Sequence, residues 1–189
     1  MACRQGMIAM RKIFHDENYS CEIDFSAADW ATDRLNDIFH RAKLNLFHDV
    51  DFVAETESEI LLVEYKNANL PNAVNPDAFK PKEEKRLDNI ARKYYESQYF
   101  LQAAQHGRHK KKKYVYILEC AKGDIVLRKR VRELLAARLP FLLQQQINMP
   151  EKLIDSLEVL SIEEWKEKYA SYPLRLTEES GRNQQVSPS

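Results

Sequence analysis

Apolar and polar positions alternate with a period of two across residues 49–67, in two runs, Asp49-Val-Asp-Phe-Val-Ala-Glu and Glu59-Ile-Leu-Leu-Val-Glu-Tyr-Lys-Asn, around a polar Thr56-Glu57-Ser58. That pattern predicts a β-hairpin. Its second run is apolar on both faces at Ile60, Leu61, Leu62 and Val63, the mark of a central strand covered on two sides. Tyr114 to Cys120 reads as another such strand, and Ser156 to Ile162 as a later one. Residues 11–15 and 19–25 read as two short strands around the turn-prone Asp16-Glu17-Asn18.

Elsewhere the period lengthens to that of a helix. Ser26 is placed as an N-cap with Asp29 three residues on, opening a helix to about Lys43 with Ala31, Leu35, Ile38 and Ala42 inward. Asp33 and Asp37 then project from the opposite side. The longest helical pattern runs from Lys82 to about His106, with Leu87, Ile90, Ala91, Tyr94, Leu101 and Gln105 on one stripe. Gln98 falls within that stripe, where a polar group needs a partner; a position at the stripe's outer edge is the alternative. Tyr95, Tyr99 and Phe100 widen the aromatic surface, for packing first and base stacking second. A further helix starts near Asp124 with Val131, Leu134, Leu135 and Leu139 inward, and a short one covers Glu163 to Tyr169. Strands alternating with helices give an α/β fold, a central mixed sheet flanked by helices. Residues 1–172 are expected to form one domain with its core at about 27–139, and 173–189 a polar, disordered tail. Between Asn67 and Pro81, three prolines mark a long loop, read either as a lid over a site or as a passive linker. Pro140 to Pro150 interrupts the pattern.

Charge changes the picture only locally. The 189-residue chain is formally neutral, but residues 92–138 hold thirteen Lys or Arg against four Asp or Glu. Within that stretch Arg108, Lys110, Lys111, Lys112 and Lys113 form one basic cluster, and Arg128, Lys129 and Arg130 a second. Together they are expected to make sequence-independent, salt-sensitive phosphate contacts. Three scattered cysteines, Cys3, Cys21 and Cys120, suit neither a disulfide framework nor zinc. No apolar run is long enough for a signal peptide or a membrane span, so a soluble cytoplasmic protein is expected. The five histidines have no ligand spacing, and four glycines supply no phosphate-binding loop.

The hairpin carries the chemistry. A turn centred between Glu57 and Ser58 sets Asp51 opposite Glu64 and Asp49 opposite Lys66, roughly 5 Å apart at Cβ. Carboxylates that close raise each other's pKa unless a divalent cation or an ammonium lies between them. Magnesium suits such a gap, since it accepts one or two carboxylates and fills the rest of its octahedron with water and substrate phosphate. Lys66 shares the face of Glu64 and points to the same space. The plainer alternative is the solvated face of an ordinary hairpin.

Asp51, with Glu64-Tyr65-Lys66 thirteen residues later at the end of an apolar strand, resembles the PD-(D/E)XK nuclease superfamily, which includes restriction endonucleases and archaeal Holliday junction resolvases. The likeness covers roughly residues 27–120. It implies a restriction endonuclease-like core in which Asp51, Glu64 and the Tyr65 carbonyl bind Mg2+ or Mn2+, and Lys66 assists the attacking water. It further implies DNA as substrate and admits a homodimer, since family members often pair to cut two strands. A glutamine or lysine on the long helix can touch the site in that family, which makes Gln98 a candidate catalytic residue. The chain departs from the family in having Val50 before Asp51, no clear acid on the first helix beyond Asp29, and no room for a strand between that helix and Asp51. An N-terminal strand is expected to take that strand's place. Two functions follow: a metal-dependent deoxyribonuclease, or an inactive relative that binds nucleic acid or serves an assembly.

Overall fold

A computed structural model describes residues 11–69, 79–121 and 123–177. Its elements run β1 (Ile13–His15), β2 (Cys21–Asp24), β3 (Trp30–Thr32), α1 (Leu35–Arg41), β4 (Phe52–Glu55), β5 (Glu59–Asn67), α2 (Glu84–Ala103), β6 (Lys111–Glu119), α3 (Ile125–Ala136), α4 (Phe141–Gln146), β7 (Ser156–Leu160), α5 (Ile162–Lys168) and β8 (Leu174–Leu176). The fold is mixed α/β. A five-stranded sheet has the order β3-β4-β5-β6-β7, and a second sheet has the order β1-β2-β8. β3, β4 and β5 form an antiparallel meander, while β6 and β7 join parallel to β5. Helices α2 and α3 provide the long crossovers that parallel pairing requires.

Both faces of the large sheet are covered, which is why its central strands are apolar throughout. On one face Val53, Ile60, Leu62, Tyr114, Tyr116 and Leu118 pack under Leu35 and Phe39 of α1, Leu87, Ile90 and Tyr94 of α2, and Val131 and Leu135 of α3. On the other, Phe52, Leu61, Val63, Val115 and Ile117 pack against Cys21 and Ile23 of the small sheet, Phe25 just after it, and Trp165 of α5. Trp165 is fully buried and donates its indole N–H to the Tyr172 carbonyl at 2.9 Å. Ser161 caps α5 by accepting from the Glu164 N–H, while the Glu164 carboxylate accepts from Ser161. No helix among the described residues is long and apolar enough to cross a membrane.

Several sequence expectations change. The helix expected over 26–43 is strand β3 followed by the two-turn α1; Trp30, Ala31 and Thr32 pair with Glu55, Ala54 and Val53 instead of continuing a helical stripe. Ser26 caps nothing: its hydroxyl accepts the Lys12 N–H at 3.1 Å. The meander is therefore completed from before the first helix, by residues 30–32, and the strands at 13–15 and 21–24 belong to the small sheet. Lys111–Lys113, expected in a connection, are the first residues of β6. Leu174–Leu176, assigned to the tail, is strand β8 paired with β2, and Leu174 is buried in the core. Helix α4 forms within the interrupted region, where the Gln144 amide donates to the Ile154 carbonyl and accepts from the Leu153 N–H. The residues expected as a lid lie largely in 70–78, outside the described residues.

Candidate functional site

Strand β4 pairs with β5 in the register Phe52↔Val63, Val53↔Leu62, Ala54↔Leu61 and Glu55↔Ile60. Continued by one residue, that register sets Asp51 across from Glu64, as the hairpin reading requires. The pair lies at the carboxyl end of β5, the end at which open α/β sheets bind ligands. Asp51 is held there by the Tyr65 backbone N–H, which donates to its Oδ2 at 2.7 Å.

The cation between the carboxylates comes from α2. Lys93 Nζ lies 2.8 and 2.9 Å from the two Glu64 oxygens and 3.5 Å from Asp51 Oδ1. The same helix fixes the segment entering β4: the Ser97 hydroxyl accepts the Val50 N–H at 3.1 Å, and Glu96 accepts the His48 N–H. One rigid element thus places the ammonium and one carboxylate together.

Burial first, and Asp51 second, push Glu64 up to about 8, against the pull of Lys93. Asp51 is likewise raised by burial, opposed by Lys93. For Lys93, burial alone would lower the pKa, but Glu64 and Asp51 outweigh it and hold the proton above the ordinary lysine range. These shifts describe one cluster: a single ammonium faces two carboxyl groups, so Lys93 stays charged and one proton is retained by the carboxyl pair well above the usual carboxylate range.

Beside the pair opens a cavity of about 450 Å3 lined by Asp16, Glu17, Asp33, Asp37, Asp49 and Asp51 with His15, Tyr19 and Asn36. Burial raises Asp49, which accepts the Asn36 amide at 3.1 Å, and burial also raises Asp33. The expectation that Asp33 and Asp37 face away is thus corrected: β3 brings the start of α1 beside the start of β4, and both acids line the cavity that Asp51 lines. Asp29 is not among them.

The remaining sequence candidates divide. Lys66 is exposed at the end of β5 and makes no ion pair among the described residues. Gln98 is buried, yet it makes no hydrogen bond to either carboxylate, and its Nε2 has no partner among the described residues. The helix residue that reaches the carboxylates is Lys93. Ile90, Lys93 and Ser97 share a line along α2, which carries Lys93 to the sheet.

The basic run lies at the other end of the sheet. Lys111 stands beside Glu59, Lys113 beside Leu61 and Tyr116 beside Glu64, so three to five residues, about 10 to 16 Å of strand, separate Lys111–Lys113 from Glu64. Lys110 pairs with Glu55 at 3.1 Å, Lys113 with Glu59 at 2.6 Å, and Lys112, 2% exposed, with Glu151 at 2.7 Å. Arg108 donates to Gln105, and Lys111 is exposed. In the second cluster Arg128 pairs with Glu164 at 3.0 Å, Arg130 with Glu133 at 2.9 Å, and Lys129 is exposed. Arg130 also lines a larger cleft of about 1110 Å3, with Phe79, Lys80, Lys82 and the first turn of α3. That cleft opens beyond the carboxyl end of β6, on the same sheet edge as Lys66, although neither carboxylate lines it.

Among the described residues no three His, Cys, Asp or Glu side chains form a group that could hold a metal ion. The donor chemistry nonetheless fits a hard cation: two facing carboxylates already hold one positive charge, and magnesium can be held by two carboxylates with water and substrate. Comparison with known families, with characterised proteins and with solved structures yields no match.

Proposed function

We propose that the chain is a metal-dependent nuclease of the PD-(D/E)XK type that hydrolyses phosphodiester bonds in DNA. The single observation that supports this most is the convergence of Asp51 and Glu64 at the carboxyl end of the central strand, in the register the motif demands, with the ammonium of Lys93 from α2 between them. The order of the large sheet, an antiparallel meander joined by a crossover helix to a parallel strand, suits a restriction endonuclease-like core. In this reading Asp51, Glu64 and the Tyr65 carbonyl would hold Mg2+ or Mn2+, which when bound supplies Lewis acidity and an acidified water. Lys66, exposed on the face of Glu64, counters charge on the scissile phosphate, and Lys93 holds the carboxylates together while no metal is bound. The phosphates flanking the scissile one run past Lys80, Lys82 and Arg130, which share this end of the sheet.

The test is cleavage of supercoiled plasmid with Mg2+ or Mn2+ by the wild type, Asp51→Asn and Lys66→Ala. Wild-type nicking that chelator stops and both substitutions remove is the expected result. Equal nicking by all three proteins would assign it to a contaminant and end the proposal.

A second reading draws on Lys93 itself. An ammonium already between the carboxylates suits a nuclease-like fold that binds nucleic acid, or serves an assembly, without turnover. That reading requires salt-dependent DNA retention with no metal-dependent cleavage.

A further inference from the structure

The geometry points to Lys93 as a resident counter-cation that competes with the divalent metal for Asp51 and Glu64, so that the metal loads only as the ammonium swings out. This rests on the reading of those two side chains as cation ligands and concerns the regulation of the same site. Three observations carry it. First, Nζ occupies the space between the carboxylates, 2.8 Å from one and 3.5 Å from the other, so a divalent ion there would meet a positive charge at contact distance. Second, the site holds more carboxyl groups than cations. One ammonium faces the two carboxyl groups of Asp51 and Glu64, with the buried Asp49 near by, a set that a doubly charged ion matches once both are ionised.

Third, the anionic side is fixed and the cationic side can move. Asp51 is pinned by the Tyr65 N–H, and Glu64 stands on a strand paired on both sides. Lys93 reaches in on a flexible four-carbon stem from a helix, and its side chain is 24% exposed against 10% for Glu64. Rotation of that stem frees the carboxylates without moving the backbone. Once outside, the ammonium stands at the mouth of the site, where an arriving phosphate gives it a partner. Metal loading and phosphate binding therefore favour each other through one side chain.

Calorimetric titration of Mn2+ alone, without DNA, into wild type, Lys93→Gln and Lys93→Arg separates the cases. Lys93→Gln removes the charge yet keeps a donor for Glu64, and is expected to bind Mn2+ at least tenfold tighter than wild type. Lys93→Arg keeps the charge and is expected to bind no tighter than wild type. Melting of each variant with and without Mn2+ shows that it is folded, and Lys93→Gln should gain more from the ion. If Lys93→Gln binds Mn2+ no tighter while the wild type binds it and cuts plasmid, this inference falls and the nuclease reading stands. If no variant binds Mn2+, both fall. Tighter binding by Lys93→Gln in a protein that never cuts DNA supports the competition and removes the nuclease.

Discussion

The Tyr65 N–H donates to Asp51 Oδ2 at 2.7 Å, so the residue after Glu64 fixes the carboxylate that faces Glu64. The contact is made by a backbone donor to one oxygen, which leaves the other turned toward Lys93 at 3.5 Å. An amide at position 51 can keep the first contact through its own oxygen.

Asp51→Asn is therefore expected to leave the fold intact and its stability within about 1 kcal/mol of wild type, because Glu64 alone then balances Lys93. Mn2+ affinity should fall at least tenfold. Thermal melting and calorimetry check both halves, and a variant that melts far below wild type would show that Asp51 serves the fold first.

The raised carboxyl pair predicts a pH dependence with a definite sign. Burial and mutual repulsion hold a proton on the pair up to about pH 8 for Glu64, whereas in the unfolded chain it leaves near the ordinary glutamate value of 4.5. Between those limits the folded state binds more protons, so this site's contribution makes stability fall as pH rises. The expected loss is on the order of a few kcal/mol across the window, discounted for the partial access of water. Glu64→Gln should flatten the curve measured by denaturant unfolding between pH 5 and 8. Mn2+ should flatten it as well and release about one proton per ion, read from the heat of binding in buffers of different ionisation enthalpy.

How far the sequence reveals this site depends on the range of the interaction that builds it. The hairpin register was legible, because a period of two, a polar turn and an apolar central strand are local signals, and they put Asp51 opposite Glu64 without further help. Strand β3 was not: Ala31, Leu35 and Ile38 carry helical spacing, and only pairing with the edge of β4, more than twenty residues away, draws Trp30–Thr32 out of it. Asp33 and Asp37 were misplaced with that helix. Lys93 was hidden for a different reason. It sits at the margin of the buried stripe of α2, where a lysine is usually solvated, and its partners lie twenty-nine and forty-two residues away. The basic run differs in the opposite sense: its charges are locally dense, but tertiary folding pairs Lys110, Lys113 and Lys112 to Glu55, Glu59 and Glu151.

A separate prediction concerns the turn between α2 and β6. Gly107 has φ of +67°, and a Cβ built on it would stand 2.8 Å from Ile60 Cγ2, in the core. Its N–H donates to Glu55 at 2.8 Å, and Glu55 also meets His106 Nδ1 at 2.6 Å, whose ring stacks on Trp30 at 3.7 Å. Gly107→Ala combines left-handed strain with a core clash and should cost about 2–3 kcal/mol. Denaturant unfolding with an unchanged slope checks it. Because this turn lies away from the carboxylates, Mn2+ affinity of the folded variant should match wild type.

The last prediction sets the two basic surfaces against each other. Lys112 is 2% exposed, while its partner Glu151 is 40% exposed and also accepts the His109 N–H, so Lys112→Ala chiefly removes a buried stem. It should cost about 1–3 kcal/mol of stability, while DNA affinity of the remaining folded protein changes little. Lys111→Ala, at an exposed position, should leave both stability and binding near wild type. Joint replacement of Lys80, Lys82 and Arg130 by alanine removes charges at the sheet end that carries the carboxylates. Each phosphate contact contributes about one unit to the slope of log affinity against log salt. The triple variant should therefore bind duplex DNA more weakly, with a slope shallower by roughly two to three. Fluorescence anisotropy at several salt concentrations measures this, and an unchanged slope together with a loss in Lys111→Ala would move the DNA to the other end of the sheet.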